Sequence, residues 1–251
     1  MVNAAPLPAQ CMEVEHDGSR VRFFTPNDTT RWRVESLRHK EPETLAWIAA
    51  FAPDEVLFDI GANVGSYTIW AAKTRGTRVF AFEPGSQNFA ILNTNILLNG
   101  LQDRVSAYCL AIADRLAFDH LFLSSVDPGG SLHRFGEARD FADRPMAPGF
   151  RQGSVAISID ELVEQHGFPV PQHVKIDVDG IEPVIVAGAR RTLAAKTVKS
   201  ALIEINTNLE DHWNIIDTML ELGFDFSREQ VAQSQREEGP FKGVANYVFR
   251  R

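Results

Sequence analysis

Several acidic residues lie where short apolar runs of the sequence end. Asp59, Glu83, Asp177 and Glu204 close or follow such runs, and Asp179 comes shortly after Asp177. Short apolar runs are typical of buried strands, so each of these runs predicts a carboxylate at or near a strand end. A carboxylate beside a hydroxyl group can take its proton, and one beside a cation can bind it. The pattern therefore predicts proton transfer, recognition of a positively charged ligand, or both.

Residues 56–68 carry the most informative of these patterns. An apolar run leads to Asp59, Gly61 and Gly65 follow with Asn63 between them, and apolar helical spacing then resumes. This order predicts a buried strand, a tight turn and the start of a helix. Glycine lets a ligand approach the main chain, and Asn tolerates a left-handed conformation better than most residues do. We therefore expect this turn to bind a ligand.

Asp59 narrows the class of ligand. A dinucleotide or phosphate site would show Gly-x-Gly-x-x-Gly or Gly-x-x-x-x-Gly-Lys, and the turn has neither spacing. A carboxylate at the strand tip repels a pyrophosphate and favours an ammonium or sulfonium charge, and S-adenosylmethionine carries both. A nicotinamide-dependent oxidoreductase is the less favoured alternative. Asp59 would act on the ligand's amino group through the loop or through water, and donors to its carboxylate could come from Asn63, Ser66, Tyr67 and Thr68.

Glu83 follows the glycine turn by about 20 residues, where nucleotide-binding α/β folds place an acid that binds the ribose hydroxyls. The alternative is an acid that only stabilises the N-terminus of the next helix. Asn88 is a second candidate ribose contact, and it could equally be a solvated helix residue.

Asp177 and Asp179 form the most interesting pair. We expect Asp177 to hold the amino end of the ligand, and Asp179 or Glu204 to act as a base toward an acceptor oxygen. The alternative for Asp179 is that it caps the helix beginning near Ile181. These three acids and Asn206 could also hold Mg²⁺, a reading that we favour less.

Three histidines, His120, His133 and His173, have the neutral pKa of a base, and each could instead be a surface or packing residue. Glu41 could face the same cleft from the N-terminal region.

Short apolar runs alternate with amphipathic stretches along most of the chain, which predicts a helix-covered parallel sheet with right-handed crossovers. Such sheets bind ligands beyond the carboxyl ends of their strands. Asp114, at the end of a predicted strand over residues 105–113, would join the other acids at that edge. A single helix is predicted from Glu182 through Leu193.

Two segments depart from this alternation. Alternating runs on both sides of Asp17-Gly18 predict a β-hairpin within an N-terminal extension, residues 1–40. Residues 116–151 contain one strand-like stretch, then Pro128-Gly129-Gly130 and mixed charges. Long loops in compact domains are often functional, so we expect a substrate-facing insertion. A small hairpin added to the sheet is equally compatible.

The composition limits the class of partner. The net charge of −8 and the pI near 5.4 argue against a broad nucleic-acid-binding face. The two cysteines, Cys11 and Cys109, are too far apart in sequence for a metal-ligand spacing and are expected to be reduced thiols. With neither an apolar span nor an export signal in the sequence, we expect a cytoplasmic protein that does not bind membranes.

These motifs together resemble the class I S-adenosylmethionine-dependent methyltransferases, and within them the FkbM family. Residues 56–68 look like its cofactor loop, Phe82-Glu83-Pro84 like its ribose-binding strand end, and residues 174–182 like its signature after the fourth strand. Glu41-Pro42-Glu43-Thr44 is also similar to the family pattern. The resemblance covers roughly residues 41–204.

The resemblance implies a single Rossmann-like domain over residues 41–251, with helices on both faces of a seven-stranded, mostly parallel sheet whose last strand is antiparallel. It implies O-methylation of a hydroxyl on a small metabolite, sugar or glycan precursor. It also places Gly61, Ala62 and Pro84 at the cofactor and the adenine at Ala111 and Ile112. This chain has Asp179 where many relatives carry Glu, so the negative charge is kept and its reach is shortened.

The sequence thus predicts an S-adenosylmethionine-dependent methyltransferase that acts on a small-molecule or glycan hydroxyl. A cofactor-binding scaffold protein without catalysis is a further alternative. The identity of the acceptor, the general base, metal dependence and assembly into a homo-oligomer are left open.

Overall fold

The described part of the chain begins with a two-stranded hairpin. The computed structural model describes residues 10–251, so residues 1–9 of the predicted extension lie outside the described residues. Strands β1 (Cys11–His16) and β2 (Ser19–Phe24) pair antiparallel. The turn residues Asp17 and Gly18 have φ angles of 46° and 77°. This pairing confirms the hairpin predicted around Asp17-Gly18. Asp and Gly suit its turn because both adopt positive φ at low cost.

Two helices follow, α1 (Asp28–Ser36) and α2 (Pro42–Ala49). The segment that forms α1 is polar and has no clear periodicity, and its start is fixed by a capping box. The side chain of Asn27 accepts a hydrogen bond from the Thr30 backbone N–H, and the Thr30 hydroxyl accepts one from the Asn27 backbone N–H. In α2, Pro42 occupies the first helical position, where its missing N–H costs nothing.

Strands and helices then alternate as predicted. The elements are β3 (Val56–Ile60), α3 (Ser66–Arg75), β4 (Arg78–Phe82), α4 (Ser86–Asn99) and β5 (Val105–Tyr108). The helix α4 ends at Gly100, which has φ 64° and closes the last turn.

A second, four-stranded sheet follows, built from β6 (Ala111–Ala113), β7 (Ala117–Leu123), β8 (Arg134–Phe135) and β9 (Phe150–Ser158) in the order β6-β9-β7-β8. The single strand predicted over residues 105–113 is therefore wrong: the chain leaves the main sheet after Tyr108 and starts a different sheet at Ala111. Much of the predicted insertion, residues 116–151, belongs to this second sheet, and it is not a hairpin added to the main one.

The C-terminal half returns to the main sheet. Its elements are α5 (Ile159–Gln165), β10 (His173–Ile176), α6 (Glu182–Ala187), α7 (Arg190–Ala194), β11 (Ser200–Asn206), α8 (Glu210–Glu221), β12 (Asp225–Phe226), α9 (Arg228–Ser234) and β13 (Val244–Arg250). The single helix predicted from Glu182 through Leu193 is two helices. The chain breaks at Gly188, where a Cβ would lie 2.4 Å from the carbonyl oxygen of Ala113.

The main sheet is mixed and has seven strands in the order β12-β13-β11-β10-β3-β4-β5. Strands β11, β10, β3, β4 and β5 run parallel to one another, while β13 is antiparallel to both β11 and β12. The α/β class predicted from the alternation of elements is confirmed. The order of the strands places the carboxyl ends of β3, β4, β10 and β11 along one edge.

Each face of the main sheet has its own hydrophobic core. One core contains Phe58, Ile60 and Ile176 with side chains of α5 to α8. The other contains Leu57 and the helices α2, α3 and α4, and the buried residues of the hairpin and α1 belong to it. Alternate residues of β3 thus face opposite cores, which is why the whole strand is apolar up to Asp59. Among residues 10–251, no helix has both the length and the apolar character needed to cross a membrane.

Candidate functional site

A cleft of about 390 Å³ opens at the carboxyl edge of the main sheet. Its lining includes predicted site residues from the turn after β3, the end of β4, helix α4, the turn after β10 and strand β11: Gly61, Asn63, Glu83, Pro84, Asn88, Asp177, Asp179 and Glu204. A small cavity of about 50 Å³ adjoins it at one end and an apolar slot of about 30 Å³ at the other. The three share lining residues, so they form one continuous site.

The glycine turn is shaped first by the protein's own packing. Gly61 has φ 78°, and a Cβ on it would lie 2.0 Å from the backbone oxygen of Asp177. Gly65 has φ 84° and packs against Leu92. Asn63 has φ 52°, so the left-handed conformation predicted for it is confirmed. The turn thus brings the start of α3 close to the end of β10, whether or not a ligand is bound.

Asp59 and Lys175 lie side by side on neighbouring strands, β3 and β10, and both are almost fully buried. Asp59 Oδ2 accepts a hydrogen bond of 2.5 Å from Thr68 Oγ1, and Oδ1 has no hydrogen-bond partner among the described residues. Lys175 Nζ lies 2.8 Å from Asp177 Oδ2 and 4.0 Å from Asp59 Oδ1. Burial raises the pKa of Asp59, and Lys175 opposes that rise.

Asp177 is held ionised by this contact. Burial acts to raise the pKa of Asp177, but the ammonium groups of Lys175 and Lys40 outweigh it and lower the pKa to about 2. A carboxylate of such low pKa is a poor base and a good anchor for a cation. The role predicted for Asp177, holding the amino end of the ligand, stays a prediction, and the cation beside Asp177 in this structure is Lys175.

Glu83 is buried at the end of β4, where each of its oxygens accepts a backbone N–H. Oε2 binds the N–H of Asn63 and Oε1 that of Gly85, both at 2.8 Å. Burial raises the pKa of Glu83 to about 7, against the lowering effect of these two hydrogen bonds and of the neighbouring Asn88 amide. Each oxygen keeps a lone pair, so the carboxylate can still accept hydrogen bonds from hydroxyl groups in the cleft.

Residues 128–133, which we call the strap, cross over the Glu83 side of the cleft. Asn88 accepts the Gly129 N–H at 2.8 Å and donates to the Gly130 carbonyl at 3.1 Å. Asn63 also donates to Gly130, and Arg33 and Asn27 donate to the carbonyls of Gly129 and Pro128. The amide of Asn88 is therefore engaged with the strap. Of the predicted insertion, the strap is the part that lines the cleft, through Ser131 and His133.

Asp179 ties the other end of the strap. Its Oδ2 accepts the Leu132 N–H at 2.7 Å, and its backbone has φ 63°, unusual for Asp. Burial and the nearby Asp177 carboxylate raise the pKa of Asp179 to about 6. The alternative that Asp179 caps the following helix is wrong, because Ile181 is the N-cap of that helix and no side chain of the described residues caps it.

Glu204 lies opposite, in a network that the sequence did not predict. Arg236, from the loop after α9, lies 3.1 Å from Glu204 Oε1 and 3.7 Å from Glu41 Oε1. Glu41 is buried and also binds Lys40 at 2.6 Å and the Tyr67 hydroxyl at 2.8 Å. Burial and Asp177 raise the pKa of Glu204 well above its usual range.

The apolar slot lies where the chain passes from β5 to β6. Ala111 and Ile112 line it, together with Ile60, Phe82, Leu110, Leu121, Phe135 and Ile181. The predicted pair thus faces a flat apolar space at the end of the cleft. At the opposite end, Ala62, Ser66 and Tyr67 line the small cavity. Thr68 is turned to Asp59 and is not part of the lining.

Several predicted residues lie elsewhere. Asp114 follows β6 in the second sheet and pairs with Arg115, so its predicted place at the edge of the main sheet is wrong. His173 is buried at the start of β10, bound to Ser200 and Glu55. His120 is on β7, while His133 is in the strap and lines the cleft. Burial lowers the pKa of His133 to about 4.

The sequence reasoning missed the cationic and aromatic lining of the cleft: Trp32, Arg33, Lys40, Lys175, Arg236 and Phe241. Lys175 had a usable signal, since a charged residue inside an apolar strand must be paired. Arg236 had none, because it lies in a polar loop. Across residues 10–251, no three His, Cys, Asp or Glu side chains are arranged to share a metal ion.

Comparison with known proteins gives consistent matches. The family model described as methyltransferase FkbM domain matches residues 59–226. Hexuronic acid methyltransferase AglP of Haloferax volcanii is 28% identical over 206 residues, which are 79% of this chain and 76% of that protein. The 31-O-demethyl-FK506 methyltransferase FkbM of Streptomyces tacrolimicus is 26% identical over 157 residues, 54% of this chain and 60% of that one.

Among solved structures, the methyltransferase FkbM of Methylobacillus flagellatus KT superposes with a TM-score of 0.53 at 15% identity. The match covers 80% of this chain and 44% of that longer chain. At this identity the likeness shows a shared fold.

Proposed function

The chain belongs to the FkbM methyltransferase family, and from this membership we propose that it transfers a methyl group from S-adenosylmethionine to a hydroxyl oxygen of a small metabolite or of a sugar or glycan precursor. The observation that carries the proposal is the division of the site into three connected parts. A small charged cavity, a cleft with a buried carboxylate and an apolar slot follow one another along the carboxyl edge of the sheet.

The charged cavity fits an amino-acid group. Asp59 Oδ1 is a buried acceptor without a partner among the described residues, which suits an ammonium group. The first turn of α3 begins beside it at Ser66, and within the described residues no side chain caps that helix. Free N–H groups at a helix start favour a carboxylate. The donors and acceptors here thus match both charges of a methionine moiety.

The remaining parts fit an adenosine. Glu83 keeps one lone pair on each oxygen, which suits a pair of ribose hydroxyls. The slot beyond it is lined by Ile60, Phe82 and Ile112, among others, and has the apolar walls that a purine ring needs. Ala111 and Ile112 are the residues whose main chain could read the purine edge.

Asp179 is the residue that we propose as the base. When bound, S-adenosylmethionine supplies an electrophilic methyl group on a positively charged sulfur. Asp177 is tied to Lys175 and Glu204 to Arg236, whereas Asp179 has a pKa raised to about 6 and an oxygen, Oδ1, that is not used by the Leu132 N–H. Asp179 Oδ1 would take the proton of the acceptor hydroxyl, because a base works best when its pKa lies near the working pH.

The mouth of the cleft favours a sugar as the acceptor. Trp32, half of whose surface is exposed, and Phe241 line it with the polar residues Ser131 and Arg236. Flat aromatic faces beside hydrogen-bonding groups suit a sugar ring, which has apolar faces and a polar rim. The relative AglP is named for a hexuronic acid, and the cationic lining of Arg33, Lys40 and Arg236 would accept an acidic sugar.

A thermal-shift experiment tests the cofactor. At about 100 times its dissociation constant, a ligand adds roughly 2.7 kcal/mol of stability, which for a chain of this size raises the melting temperature by about 5–10 °C. We expect this shift with S-adenosylhomocysteine and none with NAD. A shift with NAD alone would favour the oxidoreductase alternative and end the proposal.

Turnover then separates an enzyme from a cofactor-binding scaffold protein. Incubation with S-adenosylmethionine labelled in its methyl group, and with a panel of neutral and acidic sugars, should transfer label to at least one acceptor. Binding of the cofactor without transfer to any acceptor, including cell extract, would favour the scaffold.

A further inference from the structure

A lysine lies in the middle of the main sheet. Lys175 is the third residue of β10, pairs in register with Asp59 on β3 and Leu202 on β11, and is 2% exposed. An ammonium group is almost never buried in a sheet without a paired charge, because removing it from water is costly. Its position therefore calls for a specific role.

Lys175 uses only part of its hydrogen-bonding capacity. Nζ makes one short hydrogen bond, 2.8 Å to Asp177 Oδ2, and lies 5.4 Å from the centre of the Tyr67 ring. Asp59 Oδ1 is 4.0 Å away, too far for a hydrogen bond, and has no other partner among the described residues. An ammonium group has three donors, so Lys175 has donor capacity left beside an acceptor that also has capacity left.

Both unused groups face the same small space. Asp59, Tyr67, Lys175 and Asp177 line the cavity of about 50 Å³, which is large enough for a water molecule or a small polar group. With Asp59 and Asp177 ionised, these two carboxylates and the Lys175 ammonium carry a net charge of −1. Arg33 and Lys40 also line the cavity, but Lys40 is paired with Glu41 and Arg33 donates to the Gly129 carbonyl. A single further ammonium group placed in this cavity would balance that charge.

We infer that Lys175 is a positioning residue, whose ammonium group holds the Asp59 and Asp177 carboxylates in place and leaves them one net negative charge to bind the ammonium of the ligand's amino-acid portion. This inference rests on the proposed function, because it assigns the charged cavity to the methionine moiety. It adds a residue that acts through Asp59 and Asp177 without touching the reacting atoms.

The test compares two ligands that differ only in the amino-acid portion. S-adenosylhomocysteine has it, and 5′-methylthioadenosine has the same adenosine and a thioether without it. Titration calorimetry on wild type and Lys175→Met should show S-adenosylhomocysteine bound at least about 30-fold more weakly by the variant. Without the lysine the buried carboxylates lose their position and are driven to take up protons, so the ligand ammonium loses its charged partner. Binding of methylthioadenosine should stay unchanged. A general loss of structure would weaken both ligands together.

Two further variants make the result decisive. His173→Gln changes a buried polar residue of the same strand, at the end away from the cavity and bound to Ser200 and Glu55, and it should weaken neither ligand selectively. Lys175→Gln keeps a hydrogen-bond donor but not the charge, and replaces the Met variant if that one fails to fold. It should also lose affinity for S-adenosylhomocysteine selectively.

Equal loss for both ligands, or no loss for either, in the Lys175 variants would overturn the inference while leaving the proposed function in place. If the wild-type protein binds neither ligand, the proposed function fails and this inference fails with it.

Discussion

Asp179 combines two tasks at one carboxylate. It accepts the Leu132 N–H, which ties down the strap, and its raised pKa of about 6 supports the role of base that we propose for it. Asn in its place would keep an oxygen for the Leu132 N–H and lose the ability to take a proton. The two tasks can therefore be separated by a single substitution.

We expect Asp179→Asn to lower kcat by about 100-fold or more, the usual contribution of a general base, with little change in S-adenosylhomocysteine affinity. In the wild type, kcat should fall about tenfold per pH unit below pH 6, because protonated Asp179 is inactive as a base. The kcat of the Asp179→Asn variant should not show this fall below pH 6. A pH–rate profile checks both, and full turnover by the Asn variant would remove Asp179 from the role of base.

Single residues differ in how far the sequence could predict their place. Asp59, Glu83, Asp177 and Glu204 end strands of a parallel sheet, and such ends meet at one edge by topology alone. The place predicted for Asp114 was wrong because the chain leaves the main sheet after Tyr108. Arg236 could not be foreseen, since its contact with Glu204 joins a polar loop to a strand only in the folded chain. Asn88 was foreseen at the cleft, but its bonds to the strap span more than 40 residues of sequence.

At the scale of elements, the turn between β3 and α3 and the strap form opposite walls of the cleft. The turn followed from local sequence, because glycine and Asn positions specify the backbone. The strap did not, because five side chains from α1 and its cap, the turn, α4 and the segment after β10 hold it: Asn27, Arg33, Asn63, Asn88 and Asp179. Long irregular segments take their shape from such distant partners and carry little of it in their own residues.

The turn makes a sharp prediction for stability. Gly61→Ala should destabilise the protein by about 3 kcal/mol or more, since a positive φ and a backbone clash act together. Gly100→Ala is the matched control: φ is 64° there, and a Cβ would meet nothing within 4 Å. This substitution should lower the free energy of unfolding by only about 1–2 kcal/mol, the cost of the left-handed conformation alone. Urea unfolding of both variants measures the difference. Equal losses of unfolding free energy would show that the backbone at Asp177 moves to make room for the added methyl group.

At the scale of the whole molecule, ionisable groups buried at the site make stability depend on pH. Burial raises the pKa of Glu83 and of Glu182 to about 7, so the folded chain binds their protons more tightly than the unfolded chain does. Stability falls with rising pH wherever the folded state binds more protons. Because of these two groups, the free energy of unfolding therefore falls as pH rises from about 4.5 to about 7. Glu55 is the opposite case, since Lys199 and His173 outweigh burial and lower its pKa to about 2.

Glu83→Gln isolates one of these contributions in the unliganded protein. Gln carries no charge, but its NH2 group cannot accept one of the two backbone N–H groups, so the variant should be less stable than the wild type near pH 5. Between pH 5 and pH 8 the difference should shift in favour of the variant by about 2–3 kcal/mol, because only the wild type loses stability through Glu83. Glu55→Gln should lose stability equally at both pH values, because Glu55 is ionised in folded and unfolded chains throughout this range. Chemical unfolding at pH 5 and pH 8 measures both. A constant difference between Glu83→Gln and wild type would mean that the Glu83 carboxyl titrates normally.

The 2.0 Å approach of the Gly61 Cβ position to the Asp177 carbonyl oxygen bears on descendants of this fold that have lost catalysis. Such a chain would still need glycine at this point, because the sheet cannot close around a side chain there. Asp59 is less constrained: within the described chain its Oδ1 accepts no hydrogen bond, and of its two partners, Thr68 and Lys175, the lysine is also paired with Asp177. Another residue could therefore replace it once no ligand had to be held. The residue at position 59 therefore distinguishes active members from inactive descendants, whereas the glycine at position 61 does not.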